Sequence, residues 1–227
     1  MYFKDDMVWS WLLFFCVIVY LCVCVSECTT DVVFLVDDSG SIADADPLNF
    51  GRVRAFVNAM VNVIHSKDGD SRFALVRFST NVTTDFSFNN FTSTGDLYLR
   101  EVQQAVAAMP YEGMDTFTSG GLRQAYREFD VTKGDRPGVG NTLIVITDGV
   151  PTVNMDDVDP ATEALKNGRS AHIIAVGIGS GVSEALLRQL SSDGDDSHKV
   201  ENFVDLERSS LLQNLVEDIC FEAHINA

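Results

Sequence analysis

Positive charge is scarce in this 227-residue chain. Lys and Arg number 16 against 33 Asp and Glu, a formal net charge of -17 at pH 7. Such a chain cannot neutralise a phosphate backbone and release its counterions, which excludes a nucleic-acid partner. The same sign excludes recruitment to an anionic membrane surface, while cations and basic partners stay open. Internal repeats and low-complexity tracts are absent, so solenoids and collagen-like rods are excluded. Histidine is sparse. His65, His172, His198 and His224 stand in unrelated places without an H-E-x-x-H pair, and nothing supports a zinc protease. No G-x-S-x-G is present, so there is no nucleophile elbow for a serine hydrolase. What the chain does have is a hydrophobic content of 46%, ordinary for a globular protein. The length suits one domain, or at most two small ones.

Met7 to Ser26 is an uncharged apolar run that follows a short N-region holding Lys4, Asp5 and Asp6. It reads as a secretory signal over residues 1–26, with Ser26 before the cut. It is also long enough to span a bilayer, and an uncleaved anchor is the other reading, the only one that keeps a membrane contact. Either way residues 27–227 leave the cytosol as a single domain. Three of the five cysteines fall in the signal, and Cys28 and Cys220 remain at the two ends of the mature chain. An even pair in an oxidising compartment implies a bridge, with two free thiols as the other reading. Asn81-Val-Thr83 and Asn90-Phe-Thr92 are glycosylation sequons, in keeping with a secreted glycoprotein.

Apolar runs alternate with helical spacing along the mature chain. Strands are expected at 31–37, 72–78, 81–88, 141–147, 171–176 and, short and last, 202–204. Helices are expected at 47–64, 94–109, 119–129, 156–167, 183–191 and 206–221, with Gly168 after the fourth. Strand–helix alternation gives an α/β fold: a doubly wound, mostly parallel sheet, one antiparallel edge strand after a hairpin, and helices on both faces. Ligands of such sheets bind beyond the carboxyl ends of the strands.

Three of those ends carry oxygen-bearing side chains. The first strand ends in Asp37-Asp38-Ser39-Gly40-Ser41. The loop before the 119–129 helix is Gly113-Met114-Asp115-Thr116-Phe117-Thr118. The fourth strand ends in Thr147-Asp148-Gly149. With no sulfur or imidazole among them, these groups select Mg²⁺, Mn²⁺ or Ca²⁺. Asp44 and Asp46 read as caps for the helix after Pro47. Gly177-Ile-Gly179-Ser-Gly181 mimics a dinucleotide fingerprint, but Val182 replaces its last glycine and the strand is too late in the chain, so it reads as a tight turn.

DVVFLVDDSGSI, GMDTFTSGGL and TLIVITDG, in that order, resemble the von Willebrand factor type A domain, over roughly residues 28–221. The resemblance implies a metal-ion-dependent adhesion site of Asp37, Ser39, Ser41, Thr116 and Asp148. Mg²⁺ is the first expectation, Mn²⁺ or Ca²⁺ the next. The serines and Thr116 would bind the ion directly, and Asp37 and Asp148 through water. An acidic residue of an extracellular partner, a matrix protein such as collagen or a cell-surface protein, would take the open position. Phe117, beside Thr116, is a candidate partner contact. The flanking cysteines look like those that join the ends of extracellular members. The function so implied is a secreted, non-enzymatic adhesion or matrix-binding module. The alternatives are a metal-dependent hydrolase, which needs a general base or second metal ion near Asp37, and a structural component whose site meets no carboxylate.

Overall fold

The computed structural model describes residues 28–44 and 46–225, without the side chains of Asp68 and of residues 221–225. The segment read as a signal, residues 1–26, lies outside the described residues.

Strand β1 (Thr30–Asp37) is buried along its whole length, as an apolar run flanked on both sides must be. Successive side chains point to opposite faces, so the run divides between two cores. Val32, Phe34 and Val36 enter one, and Val33 and Leu35 the other. Beside β1 lie β2 (Arg72–Phe78) and β4 (Gly140–Thr147), both parallel to it. Strand β5 (Ala171–Ile178) pairs parallel with β4, and β6 (Ser197–Val200) parallel with β5. Strand β3 (Val82–Phe86) returns antiparallel along β2 and closes the other edge. The sheet order is β3-β2-β1-β4-β5-β6.

Helices α2 (Asn49–Asp68), α3 (Gly95–Ala107) and α7 (Ser209–Ile225) cover the Phe34 face. Helices α4 (Thr118–Glu128), α5 (Val158–Arg169) and α6 (Glu184–Leu190) cover the Leu35 face. A four-residue helix, α1 (Ser41–Asp44), follows β1 directly. From β1 the chain winds outward to β2 and later resumes on the other side at β4. The strand order therefore reverses between β1 and β4, and their carboxyl ends flank the crevice where such sheets bind ligands.

Two expectations need correction. The last strand is Ser197–Val200, not 202–204; residues Phe203–Glu207 form a 3₁₀ turn. The Asn202 side chain accepts hydrogen bonds from the Val204 and Asp205 amides and starts that turn. The true strand is polar because it lies at an edge with much of its surface in solvent. Helix α5 also runs past Gly168 to Arg169, and Ser170 takes the left-handed terminal conformation at φ 48°. Gly168 sits inside the helix for a packing reason: a Cβ there would stand 3.0 Å from the Tyr126 ring.

At the amino ends of the strands, Arg136 of the 134–140 loop forks onto Asp31, with guanidinium nitrogens 2.6 and 2.9 Å from Oδ1 and its amide 2.8 Å from Oδ2. The same end holds a disulfide between Cys28 and Cys220, 192 residues apart in sequence. It ties the segment before β1 to α7. Closing so large a loop restricts the unfolded chain, worth roughly 5 kcal/mol at most by loop entropy. Replacing both cysteines by serine is expected to cost about 3–5 kcal/mol in urea denaturation. A loss below about 1 kcal/mol would show that α7 holds its place by packing alone.

Candidate functional site

At the β1–β4 crevice a continuous chain of hydrogen bonds joins four of the five expected residues. Asp37, fully buried, accepts the Ser39 amide on Oδ1 at 2.9 Å and the Thr147 hydroxyl on Oδ2 at 2.7 Å. Ser39 Oγ lies 3.1 Å from Ser41 Oγ, and Ser41 Oγ donates to Asp148 Oδ1 at 2.7 Å. Ser39 and Asp148 are buried, whereas Ser41 is exposed, so the cluster opens to solvent at Ser41.

The fifth residue arrives on the 113–116 segment, which is laced to the first motif by its backbone. Gly40 N donates to Met114 O at 2.8 Å, and Gly113 N to Asp38 O at 2.9 Å. Ser39 and Met114 form an isolated parallel bridge. Thr116 is 5% exposed and is gripped from the β4 side: its amide donates to Thr152 Oγ1 at 2.9 Å and its carbonyl accepts from the Thr152 amide at 3.0 Å. The three motif segments therefore meet at one crevice.

Burial governs the electrostatics. Desolvation pushes the Asp37 carboxyl up to about 7, against the hydrogen bonds from Ser39 and Thr147, and the charge of Asp148 pushes the same way. Asp148 is raised too, by burial first, with the Ser41 hydroxyl opposing. Among the described residues neither carboxylate has an ion-pair partner: their hydrogen-bond donors are hydroxyls and backbone amides. Two buried carboxylates facing neutral oxygens leave the crevice short of a positive charge. A hard divalent cation fits that donor set of carboxylate and hydroxyl oxygens. Among the described residues there is no group of three or more His, Cys, Asp or Glu that could hold a metal ion.

The other nearby acids are drawn elsewhere. Asp38 turns away to a buried ion pair with Arg77, 2.6 Å from Nη1. Arg77, 3% exposed, also forks onto Asp85 at 2.7 and 3.0 Å and faces Glu112 at 3.7 Å. Asp115 bonds Thr80. Neither Asp44 nor Asp46 is the cap expected for α2: the N-cap is Leu48 without a side-chain cap bond, Asp44 ends α1, and Asp46 accepts the Leu48 amide at 2.9 Å and pairs with Arg52. Phe117 stands at the start of α4, half-buried, its ring 5.8 Å from the Arg123 guanidinium.

Sequence reasoning missed several supports. Thr147 holds Asp37, and its place beside Asp148 in T-D-G was the available signal. Tyr111 donates toward the carbonyls of Ser39 and Gly40 at 3.0 and 3.2 Å. Gly181, read only as part of a turn, packs its backbone on the site: a Cβ there would lie 2.5 Å from the Asp148 carbonyl oxygen. Gly179, at φ 78°, makes the turn that brings it there.

A family model for the von Willebrand factor type A domain matches residues 31–218. The chain is 33% identical over 190 residues to the collagen alpha-4(VI) chain of Mus musculus, covering 84% of this chain and 8% of that one. It is 34% identical over 203 residues to matrilin-4 of Homo sapiens, covering 87% and 30%. It thus spans under a third of either relative. Among solved structures, proximal thread matrix protein 1 from the mussel byssus shares the fold with a TM-score of 0.76 at 25% identity, over 85% of this chain and 48% of that one. The same byssus protein has been solved with a zinc-occupied MIDAS motif; at 24% identity to it, the likeness is one of fold.

Arg77 joins β2, β3 and the loops behind the crevice through three carboxylates. Arg77→Met strands a buried Asp38 and is expected to cost about 3–5 kcal/mol in urea denaturation. Adding Asp38→Asn and Asp85→Asn is expected to recover part of that loss. A cycle with no recovery would show that Arg77 acts through packing of its stem and not through charge.

Proposed function

The chain belongs to the von Willebrand factor type A domain family, and on that basis we propose that it binds extracellular matrix proteins through a divalent cation held by Asp37, Ser39, Ser41, Thr116 and Asp148. By its kinship with collagen VI and the matrilins it is a secreted, extracellular protein and not an enzyme. Among the described residues no helix is long and apolar enough to cross a membrane. Residues 27–227 form the adhesive domain in this reading and residues 1–26 its signal.

One observation carries the proposal. The buried carboxylates of Asp37 and Asp148 meet at a crevice whose remaining groups are neutral hydroxyls. In this reading Ser39, Ser41 and Thr116 hold the ion, Mg²⁺ foremost, and Asp37 and Asp148 orient that shell from behind. Hydroxyl ligands bring no formal charge, so a bound cation keeps an affinity for an incoming carboxylate that three direct carboxylates would extinguish. The side chains of Asp38, Asp115 and Asp46 are committed to Arg77, Thr80 and Arg52. With those three engaged, Asp44, exposed and close enough to Asp148 to raise it, is the acid among the described residues that a hydrolase would have to use as its general base or second metal ligand. The partner is accordingly a matrix protein that presents an acidic side chain to the exposed Ser41 end of the crevice.

Immobilised collagen is the first probe. Binding in Mg²⁺ is expected to fall at least about tenfold with chelator, with Thr116→Ala, and after esterification of the collagen carboxyls, a difference of about 1.4 kcal/mol or more. Binding that survives all three treatments would overturn the proposal.

A further inference from the structure

The β2–β3 turn brings the first sequon to the flank of the crevice. Phe117 N donates to Ser79 O at 3.1 Å, Asp115 N donates to Thr80 Oγ1 at 3.1 Å, and Ser79 Oγ donates to Glu112 Oε2 at 3.1 Å. The turn is thus stitched to the segment that carries Thr116. Between the turn and α4 lies a groove of about 370 Å³, with Thr80, Asn81 and Val82 on one wall and Phe117, Arg123 and Arg127 on the other.

Asn81 is exposed at the rim of this groove. Its amide nitrogen gives one N–H to Glu112 Oε2 at 3.3 Å, which steadies the side chain and leaves the second N–H for substitution. The facing wall suits a sugar. Phe117 is half-buried and offers an aromatic surface to an apolar sugar face. Arg127 is exposed, its described contact being Gln124 Oε1 at 3.2 Å, and it offers donors to sugar hydroxyls.

We propose that Asn81 carries an N-linked glycan whose first sugars lie in this groove against Phe117 and α4. The donor is a lipid pyrophosphate-linked oligosaccharide. Asn81 Nδ2 gives one proton to a base of the transferring enzyme, its bond to the anomeric carbon forms, and the anomeric carbon–oxygen bond breaks with its electron pair leaving on the lipid pyrophosphate. The second sequon is unlike the first. Asn90 lies beyond β3 at the opposite end of the sheet, its Oδ1 accepting the Ser87 amide at 2.8 Å and its neighbour Phe91 packed on Phe86 at 5.3 Å. A glycan there leaves the crevice untouched, whereas one on Asn81 walls its β3 side. Its effect on the approach of a partner rests on the adhesive reading; its attachment and its position do not.

The full chain, secreted from a eukaryotic cell, tests this. Mass spectrometry of its peptides is expected to find Asn81 substituted. Hydroxyl-radical footprinting is expected to show Phe117 oxidation rising several-fold when a glycosidase removes the glycans, with Phe91 unchanged. Asn81→Gln is expected to match the glycosidase-treated protein at Phe117. An unsubstituted Asn81, or Phe117 oxidation indifferent to glycan removal, would overturn the proposal. Neither readout uses a cation or partner, so its failure is distinct from a failure of the adhesive reading.

Discussion

Two carboxylates, Asp37 and Asp148, are buried at the carboxyl ends of neighbouring parallel strands, and neither has an ion-pair partner among the described residues. The local architecture can be understood from that constraint. A buried carboxylate must be hydrogen-bonded or neutralised. Asp37 is satisfied by the Ser39 amide, just beyond the end of β1, and by the Thr147 hydroxyl at the end of β4. Asp148 is satisfied by Ser41, whose position depends on the turn into α1. Arg77 stands behind the loops and collects Asp38, Asp85 and Glu112, so the surplus negative charge of the region is drawn away from the crevice. The motif acids are left facing hydroxyls, and the crevice is left open to a cation.

The two ends of the sheet have separate tasks. The Cys28–Cys220 bridge and the Arg136–Asp31 fork lie at the amino ends of the strands. The crevice lies at the carboxyl ends, a strand length away. Covalent closure therefore touches none of the groups that would hold a cation. Between the two ends, β1 divides its side chains between both cores, so the strand that delivers Asp37 is the one most firmly embedded.

The central strands were legible in the sequence because burial on both faces makes them continuous apolar runs. DVVFLVD and NTLIVIT could be read almost to the residue. The candidate site was legible in part because Asp37, Ser39, Ser41 and Asp148 cluster just past the ends of those runs, whereas Thr116 stands in the loop before α4. The polar strand Ser197–Val200 was not, since an edge strand half in solvent carries no apolar signature, and the Asn202 side chain that begins the 3₁₀ turn looks like any surface residue. Arg77 was hidden inside an apparently simple alternating strand, and its partners come from segments 8 to 39 residues away. Gly181 was hidden for another reason. A glycine that permits one backbone to approach another is indistinguishable in sequence from one that makes a turn, and only the 2.5 Å approach to the Asp148 carbonyl separates the two.

The adhesive function proposed for this domain depends on the crevice at Asp37 and Asp148 being a divalent-cation site. Calorimetric titration of Mg²⁺, Mn²⁺ and Ca²⁺ into the metal-stripped protein tests it most directly, with Asp148→Asn alongside and circular dichroism to establish that the variant folds. One saturable site per chain is expected in the wild type, and its loss in a folded variant. No binding by the wild type, or the same binding in both proteins, would contradict it.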